Sequence, residues 1–287
     1  MSNSLLLLDF SHLFSRCFHK DYDPLAQYSG KACDRPELRT MVLTSLSNLI
    51  VKFKPRHVVA AMDCKPYWRS SLYSHYKENR HRSYNQEAFY CLKKEIEDDM
   101  KAIASNFIWL KVPGAEGDDI IGVLSESSGY DEIIVHGLDG DFCQLDALPK
   151  VRRYNPVKKR FIERLGDSGK ELTIKIVCGD AGDNIPSVKK GVGPKTVLKM
   201  INEGKLEEWL DSVPEYRKAF ELNSQLMDFR YIPSDLKNLI VSDYESQLKT
   251  IGKQCDIKAL SKYMPKTSID DGVSFAAIAA KLNGDWN

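Results

Sequence analysis

Acidic residues recur at the ends of apolar runs in this 287-residue chain, and their types and spacing suit the binding of hard cations. Asp9 follows the run Leu5 to Leu8, Asp63 follows His57 to Met62, and Asp139 and Asp141 follow Ile133 to Leu138. Glu116, Asp118 and Asp119 lie just past the run Asn106 to Val112, while Asp180 and Asp183 sit in Gly179-Asp-Ala-Gly-Asp-Asn184. Taken singly, each acid is explained as a turn residue or a helix cap. Taken together they are not, because like charges about 4 Å apart repel by roughly 4 kcal/mol at an effective dielectric of about 20. Such a cluster demands cations or strongly raised pKa values. No Lys or Arg lies within the acidic stretches Leu8–Ser11, Pro113–Asp119, Leu138–Phe142 and Gly179–Asn184, so protein cations are not supplied locally. Oxygen-only ligands suit Mg2+ or Mn2+, and two such ions about 4 Å apart support phosphodiester hydrolysis.

A second set of residues is basic and aromatic. Lys77, Arg80 and Arg82 are interleaved with Tyr73, Tyr76 and Tyr84, a mixture suited to single strands whose bases stack and whose phosphates need neutralising. A solvated helix face with buried tyrosines is the plainer explanation, and the acidic crevice opposite tips the balance towards nucleic acid. Lys77 and Arg80, three residues apart, are expected on one face of a helix. Arg152, Arg153, Lys158, Lys159 and Arg160 crowd the stretch 151–162 around an Asn-Pro turn signal. A basic hairpin contacting duplex phosphates is expected there, with a merely soluble hairpin as the alternative.

These residues must be held by a frame. Continuously apolar runs separated by segments long enough for crossover helices predict a parallel sheet covered on both faces. Ligands bind beyond the carboxyl ends of such strands, where all the acids fall. Segment 65–104 reads as an excursion over that crevice. From Glu171 onward the pattern is helical, and Gly191-Val-Gly193-Pro194-Lys195-Thr196 predicts a tight hairpin entering a helix. Beyond about residue 205 the sequence shows helices and loops without recognisable chemistry.

Composition sets the outer bounds. A hydrophobic fraction of 43% supports a packed core, and a net charge of +1 excludes a uniformly basic surface. Seven cysteines without a Cys-x-x-Cys pair fit reduced thiols better than a disulfide framework or structural zinc. Leu5 to Leu8 is too short for a signal-peptide core, and no stretch approaches a membrane span. A soluble cytoplasmic protein is expected.

The chain resembles the flap endonuclease and 5′-nuclease family, most closely its phage ribonuclease H type. The resemblance rests on Leu8-Asp-Phe-Ser11, Met62-Asp63, Tyr67-Trp-Arg69, Tyr76-Lys-Glu-Asn-Arg80, Glu116-Gly-Asp-Asp-Ile120, Leu138-Asp-Gly-Asp-Phe-Cys-Gln-Leu145, Gly179-Asp-Ala-Gly-Asp-Asn-Ile185 and Gly191-Val-Gly-Pro-Lys-Thr196, in order across residues 5–200. It departs from the family at Gly117, commonly Ala, and at Val135-His-Gly-Leu138, usually small polar residues.

The resemblance implies an α/β, PIN-like nuclease domain over 1–170 with an arch insertion at about 65–104. A helix-hairpin-helix and C-terminal helical region would then fill 171–287. It implies that Asp9, Asp63, Glu116 and Asp118 serve a first Mg2+, and Asp139, Asp141, Asp180 and Asp183 a second, with Asp119 beside them as a ligand or a supporting group. Lys77 and Arg80 would contact the scissile phosphate, and Tyr76 would stack on a terminal base. Gly191, Gly193, Lys195 and Thr196 would bind a duplex phosphate beside a K+ ion. The implied substrates are DNA and RNA–DNA hybrids with 5′ ends or flaps. The implied partner of this monomer is a replication protein such as a single-strand-binding protein or a sliding clamp, left open because no clamp-binding box is found. A PIN-type ribonuclease lacks need of the arch and the hairpin, a phosphatase places its Asp-x-Asp after the first strand, and an inactive DNA-binding module would have lost acids that are all present here.

Overall fold

The computed structural model describes residues 3–21, 36–80, 86–103, 107–127 and 129–251. Six strands, β1 (Ser4–Asp9), β2 (His57–Ala61), β3 (Phe107–Leu110), β4 (Glu132–His136), β5 (Val151–Asn155) and β6 (Arg160–Phe161), form one sheet in the order β3-β2-β1-β4-β5-β6. Pairing is parallel from β3 through to β5, and only β6 runs antiparallel. β1 therefore occupies the middle, which is why its leucines need no polar alternation: both faces are covered. Successive side chains point to opposite faces. Leu6 and Leu8 join Phe14, Leu46 and Phe89 on one side, whereas Leu5 and Leu7 join Ile120, Leu124 and Ile240 on the other.

Helices α1 (Phe10–Asp21) and α2 (Pro36–Phe53) connect β1 to β2, α3 (Arg69–Leu72) and α4 (Gln86–Ile103) connect β2 to β3, and α5 (Gly117–Ser127) connects β3 to β4. After β6 come α6 (Ser168–Cys178), α7 (Pro194–Asn202), α8 (Leu206–Asp211), α9 (Pro214–Met227) and α10 (Ser234–Leu248). Ile174, Val177, Val197 and Leu210 give α6 to α8 a small core of their own. By contrast α10 returns to the sheet, burying Leu236, Ile240 and Tyr244. Its Gln247 side chain accepts from the Trp109 N–H at 2.9 Å and donates to the Trp109 carbonyl at 2.9 Å, along edge strand β3.

The basic stretch 151–162 is indeed a hairpin, but it is not an appendage. Its first arm is a fifth parallel strand, paired Ile133 to Val151 through His136 to Tyr154. One expectation changes as a result. Arg153 faces inward, 8% exposed, where Asp146 holds it by a fork of 2.8 and 2.5 Å bonds. Arg153 is thus a structural cation and is not open to duplex phosphates.

Helix α7 starts as its sequence suggests, with Gly193 as N-cap, Pro194 at the first turn and Gly191 at φ +87°. No described helix is long and apolar enough to cross a membrane. The five described cysteines, Cys17, Cys64, Cys91, Cys143 and Cys178, are free thiols.

Candidate active site

The sheet delivers its acids to one edge. Asp9 ends β1 and caps α1, its Oδ1 accepting from the His12 N–H at 2.8 Å. Asp63, just past β2, accepts from the Ser11 hydroxyl at 2.9 Å and from the Gly117 N–H at 2.9 Å. Asp118 lies in the first turn of α5. Asp139 follows β4 and accepts from the Asp141 N–H at 2.8 Å, which tightens the 3-10 turn Gly140–Ala147. Gly137 is needed on the way, because a Cβ there would meet the Phe142 ring at 2.6 Å. Asp9, Asp63, Asp118 and Asp139 together line a crevice of about 730 Å³, with Lys77, Arg80 and Lys93 opposite.

The crevice acids do not ionise alike. Burial, and then the neighbouring Asp63, push Asp9 up to about 7. Burial also raises Asp118 well above the carboxylate range, with Asp139 and Asp9 adding repulsion. Burial pushes Asp63 upward too, but Lys93, the Gly117 amide, Lys77 and the Ser11 hydroxyl outweigh it and hold Asp63 below its ordinary value. Lys93 reaches the same group indirectly, donating to Ser11 Oγ at 2.8 Å.

A second group of acids meets cations that come from outside the acidic stretches, contrary to the expectation of no local supply. Lys175 of α6 pairs with Asp141 and lies 3.2 Å from Asp180 and 3.9 Å from Asp139. Burial still pushes Asp141 up to about 6, partly offset by Lys175. Asp180 accepts from the Gly182 N–H at 2.8 Å and closes a tight loop back to Ile185. Gly179, at φ +72°, permits that loop, since a Cβ there would sit 2.5 Å from the Ile185 carbonyl oxygen. Asp183 pairs with Arg80 and lies 3.5 Å from Lys77.

Two expectations about the basic segment need correction. Residues 74–79 form turns and not a helix, with Lys77 at φ +60° and its N–H bonded to the Asp183 carbonyl at 2.9 Å. Lys77 and Arg80 nevertheless converge, Lys77 onto Glu116 and Arg80 onto Asp183, because the turns wrap the loop at 180–185. Tyr76 is no open stacking platform: it is 8% exposed, and its hydroxyl donates to Glu116 at 2.9 Å and to Asp183 at 3.0 Å. Asp119 is fully buried behind the crevice, held by Arg69 at 2.8 Å and by the Trp68 indole N–H at 3.1 Å while it caps the Glu116 N–H at 2.9 Å. Its oxygens orient Glu116 and do not face the crevice. Arg82 and the rest of 81–85 lie outside the described residues.

Arg152 stacks 3.6 Å from the Phe161 ring centroid and pairs with Glu132 at 2.8 Å, while Lys158, Lys159 and Arg160 are exposed. Gly191, Lys195 and Thr196 are exposed at the start of α7, with Gly193 partly covered, apart from the acids. Sequence reasoning missed Arg69, Lys93 and Lys175 as parts of the site. The signal for Lys175 was a lysine between Ile174 and Ile176, both buried. Arg69 stood in the motif Tyr67-Trp-Arg69, from which no role was drawn for it.

Carboxylates gathered from several strand ends, with Lys77, Arg80 and Lys93 facing them, define an α/β phosphodiester hydrolase. Among the described residues no three His, Cys, Asp or Glu side chains are already arranged around one point. The donor set still fits hard cations: it is all oxygen, and Asp9 and Asp118, raised by burial first and by neighbouring acids second, are carboxylates whose ionised form a divalent ion would favour. Residues 4–170 match the family model for the N-terminal, resolvase-like domain of 5′-3′ exonucleases. The chain belongs to the 5′-3′ exonuclease family and is a 5′-nuclease. It is 27% identical to ribonuclease H of Enterobacteria phage T4 over 237 residues, 73% of this chain and 77% of that protein. It is 30% identical to DNA polymerase I of Lactococcus lactis subsp. cremoris over 99% of this chain, which spans 33% of that longer protein. Its fold matches the T5 D15 protein co-crystallised with metal ions at a TM-score of 0.66 and 19% identity, covering 86% of this chain and 99% of that one.

Proposed function

We propose that this chain hydrolyses phosphodiester bonds of DNA and RNA–DNA hybrids near 5′ ends and flaps, with two divalent cations, and so removes primers and flaps during replication. The observation that carries this reading is the convergence of Asp9, Asp63, Asp118 and Asp139 at one sheet edge, facing Lys77 and Arg80. Asp9, Asp63, Glu116 and Asp118 are assigned to one Mg2+ or Mn2+, and Asp139, Asp141, Asp180 and Asp183 to the other. Such ions, when bound, supply positive charge at the phosphate and favour ionisation of the attacking water. The chain's own residues do the rest. Lys77 and Arg80 turn from Glu116 and Asp183 towards the substrate phosphate, and Lys93 with Ser11 keeps Asp63 ionised and oriented. Lys195 and Thr196 at the start of α7 hold duplex phosphate away from the cut, with K+ at the hairpin, and Lys158 and Lys159 add to that footprint. The T5 D15 flap endonuclease, 18% identical and alike in fold, has been crystallised with DNA and metal ions, which is in keeping with a nuclease that takes both.

One gel tests it. Labelled 5′-flap, nicked duplex and RNA–DNA hybrid are incubated with the intact chain and Mg2+, with and without excess chelator. Metal-dependent release of short 5′ products, lost in Asp141→Asn with substrate binding retained, is the expected result. Full cleavage in chelator, or an active Asp141→Asn, would overturn the assignment.

A further inference from the structure

Helix α9 lends no acid to the crevice, yet the end of it is polar where it is most buried. Asn223 is 1% exposed and Asp228 2%, among the buried apolar residues Leu226, Met227 and Phe229. Asn and Asp are mostly surface residues, and when buried they are paired, so the partners of this segment show what it holds.

A helix leaves its last carbonyls without partners of its own. Here two of them are taken by side chains that belong to the acid site. Arg69 Nε donates to the Leu226 carbonyl at 2.7 Å, while the same guanidinium donates to Glu116 at 2.9 Å. Gln144 lies in the 3-10 turn that carries Asp141, and it donates to the Met227 carbonyl at 2.8 Å and accepts from the Phe229 N–H at 3.0 Å. Asn223 reaches a third piece. Its amide donates at 2.9 Å to the Ile176 carbonyl, next to Lys175, and at 2.9 Å to the Pro186 carbonyl, just past the loop that bears Asp180 and Asp183. Leu226 and Met227 pack in one apolar cluster with Tyr76, Ile176 and Ile185, so apolar and polar contacts lead to the same segments.

We propose that the end of α9, residues 223–229, sets the spacing between the acid groups, with Arg69, Gln144 and Asn223 as positioning residues for the reaction. The inference rests on the assignment of those acids to two divalent cations. Two-metal hydrolysis needs an ion separation of about 3.5 to 4 Å, and acids carried on short turns keep such a spacing only where a rigid element holds them. Asp141 and Asp183 stand on 3-10 turns, and Asp180 caps the second of these. Their support comes from a helix far along the chain, through bonds that fix the segment behind each carboxylate and leave its oxygens to the crevice.

The test is cation binding, read without substrate or turnover. Gln144→Met keeps the bulk of the side chain and removes both of its bonds to the end of α9, and Asn223→Ala frees the Ile176 and Pro186 carbonyls. Tyr244→Phe removes the 2.9 Å bond to Tyr130, beside a cavity that shares no lining residue with the crevice, and is the matching structural loss away from the acids. Titration of the intact chains with Mn2+, followed by electron paramagnetic resonance, is expected to show binding weakened about tenfold or more in Gln144→Met and in Asn223→Ala and unchanged in Tyr244→Phe. Single-turnover rates at rising Mg2+ should follow the same order, with flap binding in chelator alike in all. Thermal melts identify a variant that does not fold, and the other of the pair then decides. Mn2+ affinity equal to the parent's in the folded variants, or an equal loss in Tyr244→Phe, would overturn the proposal and leave the two-cation reading standing. A parent chain that binds no Mn2+ would overturn both.

Discussion

Lys77 concentrates the chemistry of the site in one side chain. It is paired with Glu116, lies near Asp183 and is held at a left-handed backbone angle by the Asp183 carbonyl. Burial works against its charge, but Glu116 and then Asp183 hold its pKa above the usual lysine value, so it is a cation at any working pH. A preorganised cation that meets charge growing on phosphate contributes about 10² to 10³ in rate and less in ground-state affinity. Lys77→Ala should therefore lower the single-turnover rate about 100-fold or more while weakening flap binding less than about tenfold. Lys158, exposed on the hairpin turn, should show the reverse, with weaker binding and a nearly unchanged rate. If the two variants behave alike in single-turnover and binding assays, Lys77 serves only as part of the general positive field.

The elements divide into those that carry substrate and those that hold the frame. At the start of α7 Lys195 and Thr196 are exposed, so Lys195→Ala with Thr196→Ala should weaken binding of duplex-bearing substrates several-fold. Binding of a plain single strand should not change, and a uniform loss in titrations at fixed salt would remove the hairpin from the duplex footprint. The β5–β6 hairpin rests on Asp146, which takes both arms of Arg153 and the Leu165 N–H at 3.0 Å. Asp146→Ala strands a buried guanidinium and should cost about 3 to 5 kcal/mol in denaturant unfolding. Pairing Asp146→Leu with Arg153→Met should recover most of it. The frame was legible in sequence because continuous apolar runs such as Leu5–Leu8 have one stable home, the middle of a covered parallel sheet. The acids were legible because they stand at the ends of those runs. What was not legible depends on partners far along the chain. Arg153 is one basic residue among several until Asp146 is placed beneath it, and Tyr76 looks like a stacking ring until Glu116 and Asp183 reach its hydroxyl. The helix expected at Lys77 and Arg80 gave way to turns shaped by the loop at 180–185.

For the whole molecule, the crevice acids set stability against function. Asp9 is raised from 3.8 to about 7, so the folded state keeps a proton that the unfolded chain has released. That contribution is full below the unfolded value and is lost as pH rises towards 7. Asp9→Asn keeps the oxygen that caps the His12 N–H but cannot ionise. In chelator it should stabilise the protein more at pH 8 than at pH 5, the difference growing by at most about 1.4 kcal/mol per pH unit across the titration. Thermal melts at both pH values check this, and an equal gain at both would show that Asp9 is not the strained acid. On the far side of the sheet, Gln247 has a consequence for how the molecule behaves in a crowd. Its amide meets the outer N–H and carbonyl of Trp109 as a neighbouring strand would, so edge strand β3 offers no template there for a second chain. Gln247→Leu should expose that template, and light scattering should show mass rising with concentration where the parent protein stays constant. A variant that scatters like the parent would mean that α10 shields the edge by bulk alone.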